Sequence, residues 1–425
     1  MKLTARLPLH LARLALLLTG LLLLAHYLPS AYWLIADKSQ RAPFIFYSCV
    51  SNQFLFNRSV RGELKHTDTQ GRVYEREEFE SLLPLDNYLQ LYKDRRMPKE
   101  INGVAVTPEK LRRDRLNLRI KPVVLDSPSV ALYPLIESES GRVRLEMPND
   151  FLRFGRGLEF IDVKSNAIIA DKSATFTAAF AAAKFVFPVK LVGGNPSTLK
   201  PYDEGYFLLD SQNAVFQLRL VHGEPELKRL TDLIAPEKKA LWAELKPRYL
   251  HVQEQDNHEI RFVIVEENGR TQLVIGPDYQ LVTLPVQKYD PATMSLSVRG
   301  DMLNRLVTVN GENSVEAVVL DREYKFVDRY TEALVARADH PAGKLAGVLF
   351  PFTLEFESDY SGYLGFDFVP GTKAALGLNA VWLILAAGWF WWRKQSLARR
   401  IPELLGVAVG GVFGFLLIFL VPKAE

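Results

Sequence analysis

The chain has 425 residues, 48% hydrophobic and 24% charged, an ordinary globular mixture in which any membrane segments are hidden by the average. Its formal net charge of +3 is nearly balanced, which argues against a dedicated nucleic-acid binder with a basic face. The one cysteine, Cys49, cannot close an intramolecular disulfide, and no histidine stands near it in sequence to activate it, so it is expected as a small buried hydrophobe.

The N-terminal segment 1–13 carries Lys2, Arg6 and Arg13 and is expected on the cytoplasmic side. The first span follows at 14–35, where no Asp, Glu, Lys or Arg occurs. At about 1.5 Å per residue it is long enough for a hydrocarbon core of about 30 Å. Pro29 is expected to kink or end its helix, and Tyr27, Tyr32 and Trp33 suit the far interface. A cleaved secretory signal is the competing reading, with small residues at Ser30 and Ala31. The long apolar run and the missing Ala-x-Ala pattern favour an uncleaved anchor.

Residues 37–155 read as a mixed α+β region of an outer domain. Glu75–Lys93 is helix-forming but interrupted by Pro84, and Thr107-Pro108-Glu109 reads as a helix cap with a first-turn proline and acid. That short helix and the residues beyond it carry Arg112, Arg113, Arg115, Arg119 and Lys121, expected on a solvated face, with anionic headgroups or an acidic partner as the alternative.

Residues 156–372 are dominated by strand signals: 215–220, 260–265, 272–275, 280–284, 295–298, 306–309 and 315–320 are short and β-rich. Asn268-Gly269 is a hairpin turn. Three strand–turn–strand pieces start at Phe207, Leu273 and Val318, the last two at a propeller-like spacing, and a helix at 236–245 is expected to lengthen the earlier interval. The expected architecture is a small or irregular propeller, with a sandwich or meander as alternative.

The chain lacks a Walker loop, a His-Glu-x-x-His motif, paired cysteines and a Gly-x-Ser-x-Gly elbow. His251 and His258 flank a polar turn and read as surface residues. No cofactor, metal site or catalytic residue is expected. The most site-like stretch is the loop from Asn195 to Phe207, where Lys200, Tyr202, Asp203 and Glu204 suit a ligand or partner contact, or a structural turn. Asp203 and Glu204 are adjacent and are expected to point to opposite faces.

A second span is expected at 374–392, ending in the aromatic cluster Trp389–Trp392. The loop 393–403, with Arg393, Lys394, Arg399 and Arg400, is strongly basic and expected in the cytoplasm. A third span at 404–422 would then carry the C-terminus out. Its Gly406, Gly410 and Gly414 would form one groove for a neighbouring helix, either the second span or another membrane subunit.

The stretches Leu28–Trp33, Met97–Pro108, Tyr133–Gly141, Glu146–Pro148 and Asn195–Phe207 resemble an uncharacterised family of Gram-negative bacteria, a domain of unknown function often found beside ABC-transporter subunits. The resemblance covers nearly the whole chain and brings no catalytic residues. It implies a non-enzymatic accessory subunit of a membrane transport complex in the inner membrane, with permease or ATPase partners and a periplasmic β-rich platform. A membrane-tethered hydrolase and a ligand sensor acting through a partner are the alternatives.

Overall fold

The computed structural model describes residues 7–36, 42–60, 62–234, 239–255, 257–356 and 360–421. The chain divides into two compact units, one of residues 1–41, 59–63 and 333–425, the other of 42–58 and 64–332.

The chain enters through helix α1 (Leu7–Ala36), which belongs to the first unit. The larger unit begins with a four-stranded sheet in chain order, β1 (Phe44–Ser48), β2 (Gln53–Val60), β3 (Glu63–Asp68) and β4 (Val73–Tyr74). Short elements follow: α2 (Arg76–Leu82), α3 (Tyr88–Lys93), the small hairpin β5 (Glu100–Ile101) and β6 (Val104–Ala105), and α4 (Pro108–Arg113). The break between α2 and α3 falls at Pro84, and the Thr107 hydroxyl accepts the Lys110 amide at 3.3 Å, so both local signals act as expected. Next come β7 (Leu116–Ile120), α5 (Pro122–Leu125), the hairpin β8 (Asp150–Phe154) and β9 (Leu158–Asp162), and α6 (Ala170–Ala182).

Two four-stranded meanders succeed them. One is β10 (Leu191–Gly194), β11 (Tyr206–Leu209), β12 (Val215–Val221) and β13 (Glu224–Arg229). After α7 (Lys239–Ala243) comes the other, β14 (Pro247–His251), β15 (Ile260–Glu266), β16 (Thr271–Ile275) and β17 (Gln280–Thr283). The last sheet holds β18 (Ser295–Gly300), β19 (Asn304–Asn310), β20 (Ser314–Asp321) and β21 (Phe326–Ala333), and β7 completes it beside β18.

These sheets pack face to face in succession. Along β11, Leu208 joins Phe160, Phe176 and Phe216 on one side. Its neighbours Phe207 and Leu209 join Phe262, Ile264 and Trp242 on the other. Along β15, Val263 and Val265 pack with Val298, Val307 and Val318 of the last sheet. That sheet in turn offers Leu306, Ala317 and Val319 to Ile45, Phe54 and Phe56 of the first. A strand buried on both faces must be apolar at every position, which is why these segments read as continuous runs without alternation. Each fully buried side chain of this size contributes about 1.5–3 kcal/mol. The unit is thus mainly β, built of several small sheets.

The three look-alike pieces are all hairpins, but not equivalent ones. Those from Leu273 and Val318 are the third and fourth strands of their sheets, whereas the one from Phe207 is the second and third. That offset displaces the first piece from the period. The expected helix at 236–245 is α7 in part; residues 235–238 lie outside the described ones.

The smaller unit contains α1, α8 (Pro341–Leu349), the hairpin β22 (Phe352–Glu355) and β23 (Asp367–Pro370), α9 (Lys373–Trp392), α10 (Ile401–Gly410) and α11 (Val412–Leu420). Residues 1–6, with Lys2 and Arg6, lie outside the described ones. Two helices are long and apolar enough to cross a membrane, Leu11–Ala36 and Lys373–Trp392. Pro29 does not end the first: α1 continues to Ala36, and Tyr32 donates to the Ala342 carbonyl at 2.8 Å.

The third span is not found. At Gly411 the backbone takes φ +51° and ψ −121°, which divides the segment into α10 and α11 of 10 and 9 residues. A crossing helix needs about 20 residues, so neither half suffices. The chain turns back on itself: a Cβ on Gly414 would stand 2.2 Å from the Gly406 carbonyl oxygen. Gly406, Gly410 and Gly414 therefore form no straight groove. Gly414 abuts Gly406 within the hairpin, Gly410 abuts Leu21 of α1, and Gly406 has open space beside its own Cα. The Asn379 amide of α9 donates to the Ala408 carbonyl at the hairpin tip at 3.3 Å. Phe419, near the end of α11, packs on Trp389 at 5.4 Å, close to the end of α9 from which the basic loop departs.

Candidate functional site

In β7, Leu116, Leu118 and Ile120 enter the core, which leaves Asn117 and Arg119 on the opposite face. Antiparallel register extends this polar face across the sheet. Arg119 stands opposite Ser297, which stands opposite Thr308; Asn117 stands opposite Arg299. Where the first sheet diverges from this face a cavity of about 650 Å³ opens. Its floor is polar, and its wall is β1 with the turn Leu85–Tyr88.

The cavity holds three arginines in two situations. The Arg299 guanidinium donates to the Ile45 carbonyl and lies over the rings of Phe44 and Phe46, 4.3 and 5.3 Å from their centroids. It is fixed, and burial lowers its proton affinity. The Arg115 and Arg119 guanidinium groups have no ion-pair partner among the described residues. Asp301 is held by the amides of Leu303 at 2.7 Å and Asn304 at 2.8 Å, while burial pushes its carboxyl above the usual range. Asp86 is exposed and lines the cavity, with protein packed around its carboxyl. Its carboxyl is pushed up to about 6, chiefly by burial, with Asp301 adding and Arg299 and Arg115 opposing.

The Ser297 and Thr308 hydroxyls share a hydrogen bond at 2.6 Å. Among the described residues no histidine or cysteine lines the cavity. Guanidinium, hydroxyl, amide and aromatic groups together suit an anion that also carries hydroxyl or amide groups. Of the basic cluster at 112–121, only Arg115 and Arg119 line this cavity. Arg113 instead pairs with Asp114 at 2.9 Å, which also takes Arg322 at 3.1 Å.

The loop expected as a site is brought together differently. The Lys200 ammonium pairs with Asp203 at 2.8 Å and with Glu254, and donates to the Asn195 carbonyl at 2.6 Å. The Asn195 amide donates to the other Glu254 oxygen at 2.6 Å. Tyr202 donates to the Gln255 carbonyl, its ring 4.1 Å from that of His258. Glu204 turns the other way, to Arg261 at 2.8 Å, His258 at 3.2 Å and Gln217 at 3.0 Å. Burial raises the Asp203 carboxyl despite Lys200; burial acts the same way on Glu204, but His258 and Arg261 outweigh it and hold that carboxyl low. Asp203 and Glu204 are each only 5% exposed. The five residues converge into a buried ion network that joins the two four-stranded meanders, with the carboxylates occupied by the protein's own cations.

Cys49 is buried and its thiol is pushed up to about 12, chiefly by burial. Among the described residues no cluster of three His, Cys, Asp or Glu could hold a metal ion.

The succession of small antiparallel sheets makes the molecule a mainly β protein. A family model described as "Domain of unknown function (DUF4857)" matches residues 44–320, and the chain belongs to that family. No curated protein matches. Among solved structures, the Dos1 propeller is 11% identical at a TM-score of 0.24, with 69% of this chain and 62% of that chain covered. The chain thus spans less than two thirds of that structure's length. Dihydro-heme d1 dehydrogenase NirN in complex with DHE is 7% identical at a TM-score of 0.18, with 62% and 79% covered.

Proposed function

We propose that the protein is a non-enzymatic accessory subunit of a bacterial membrane transport complex, anchored by α1 and α9, whose outer β unit binds an anionic, hydroxyl-bearing ligand in the cavity. The observation that carries the binding role is the pair Arg115 and Arg119, two guanidinium groups without ion-pair partners among the described residues, beside a polar floor. The transport association comes from the family resemblance. An uncleaved anchor is supported by Ala25, Leu28 and Tyr32, which pack with Phe350 and Phe413 in one apolar cluster. The basic flanks favour the N-terminus and the loop 393–403 in the cytoplasm and the β unit in the periplasm. The returning hairpin favours a cytoplasmic C-terminus in place of the outer one expected above.

Isolation in mild detergent after crosslinking should recover permease or ATPase subunits; a protein that is reproducibly solitary overturns the transport role. In parallel, phosphate, sulfate and glucuronate serve as thermal-shift probes. At least one should stabilise the wild type and lose its effect in an Arg115→Ala/Arg119→Ala variant. Equal shifts in both proteins would remove the cavity as the site. The second reading, a tethered hydrolase, draws on Asp86, whose proton affinity suits acid–base work. It requires turnover that Asp86→Asn abolishes while binding remains.

A further inference from the structure

Where α1, α9 and the helical hairpin meet, a second cavity of about 200 Å³ is lined by Arg13, Arg393 and Arg400 together with Leu17, Leu417 and Phe419. Its charges do not balance. Glu403 is buried and accepts from both Arg13 and Arg400, the latter at 2.8 Å. Arg393 has no acidic partner among the described residues; it lies over the rings of Trp389 and Trp392, 4.8 and 5.4 Å from their centroids. The Arg13 Nε is buried and has no hydrogen-bond partner among the described residues. Three cations against one carboxylate leave an excess of two positive charges beside an apolar wall.

We infer that this cavity is a binding site for an anionic phospholipid. The arginines would take the phosphate, and Leu17, Leu417 and Phe419 would lie along the acyl chain. Two features select this occupant. The cavity is cationic on one side and apolar on the other, as a lipid is anionic at one end and apolar at the other. It also lies at the aromatic and basic end of α9, the position of a membrane–water interface. A soluble anion has no use for the apolar side. The inference rests on the membrane-anchored reading.

The test uses full-length protein in mild detergent, with phosphatidylglycerol and phosphatidylcholine as probes and native mass spectrometry as readout. The wild type should retain phosphatidylglycerol preferentially. A basic group near the membrane surface contributes about 1 kcal/mol, so Arg393→Gln should weaken that preference about fivefold. Lys394→Gln, whose side chain is exposed outside the cavity, should leave it intact. Arg393→Gln breaks no ion pair among the described residues, and an unchanged melting temperature in detergent checks that losing its contacts with Trp389 and Trp392 leaves the fold intact. Equal retention of the two lipids, or equal losses in both variants, overturns the site. An alkaline carbonate wash of membranes separates the two ideas. Release of the protein refutes the anchor, whereas a retained protein without lipid preference refutes this inference alone.

Discussion

Asp86 ties a single carboxyl to the behaviour of the cavity. Its ordinary value is 3.8, and the fold raises it to about 6. The folded state therefore holds this proton more tightly than the unfolded chain, and Asp86 makes the fold less stable as pH rises from about 4 to about 6. Asp86→Asn should remove that part of the pH dependence and raise the melting temperature at pH 7, measurable by thermal unfolding across that range. An unchanged slope would show that another group titrates there. Neutralising Asp86 also leaves Arg115 and Arg299 less opposed, so an anion should bind the cavity of the variant more tightly at pH 7. Lys200 is a residue of the opposite kind. At 11% exposed, it is paired with two carboxylates of the protein itself.

At the scale of elements, the helical hairpin shows how one backbone angle redirects a segment. Glycines at intervals of four residues imply a shared face only while the helix continues. Gly411 ends that condition, and the Gly410-Gly411 pair is the local signal that marks the turn. The consequence is a graded series. Gly406→Ala should be silent, because its Cβ meets open space. Gly410→Ala should be mild, since it meets only the movable end of Leu21. Gly414→Ala must push a backbone carbonyl, and Gly411→Ala combines positive φ with Asn379; each should cost about 1–3 kcal/mol. Thermal unfolding in detergent would rank the four, and equal effects would contradict the hairpin.

Elsewhere the local signals were sufficient. Seven strands between Val215 and Leu320 and the turn at Asn268-Gly269 were legible because composition and turn chemistry act locally, whereas β13 and β14, with Pro225, Pro247 and several charges, gave no such signal. The cavity was not, because its residues come from 43–47, 85–88, 111–119 and 295–310. The only sequence trace was the alternation in Leu116–Ile120 and Ser295–Arg299, which marks a polar face without saying what lies over it. The loop at Asn195–Phe207 stood out for the opposite reason. Its charges are adjacent in sequence, but their partners, Glu254 and Arg261, are not.

For the whole molecule, topology is the prediction that separates a returning hairpin from a crossing helix. Reporter fusions after residues near 150, 397 and 421 should place the last two on the same, cytoplasmic side and the first on the other. A periplasmic signal from 421 would restore the third span.

The pairing of β7 with β18 bears on biosynthesis. Ile120 lies opposite Leu296, so the early strand waits through the synthesis of both meanders before its partner exists. Contacts so distant in sequence form slowly. Arg119 is displayed from that strand and Arg115 from the residue before it, so a chain that has emerged only as far as β17 has its cations but no floor to set them in. Under the proposed role, no incomplete product could bind the ligand, because the cavity is completed only in the finished domain.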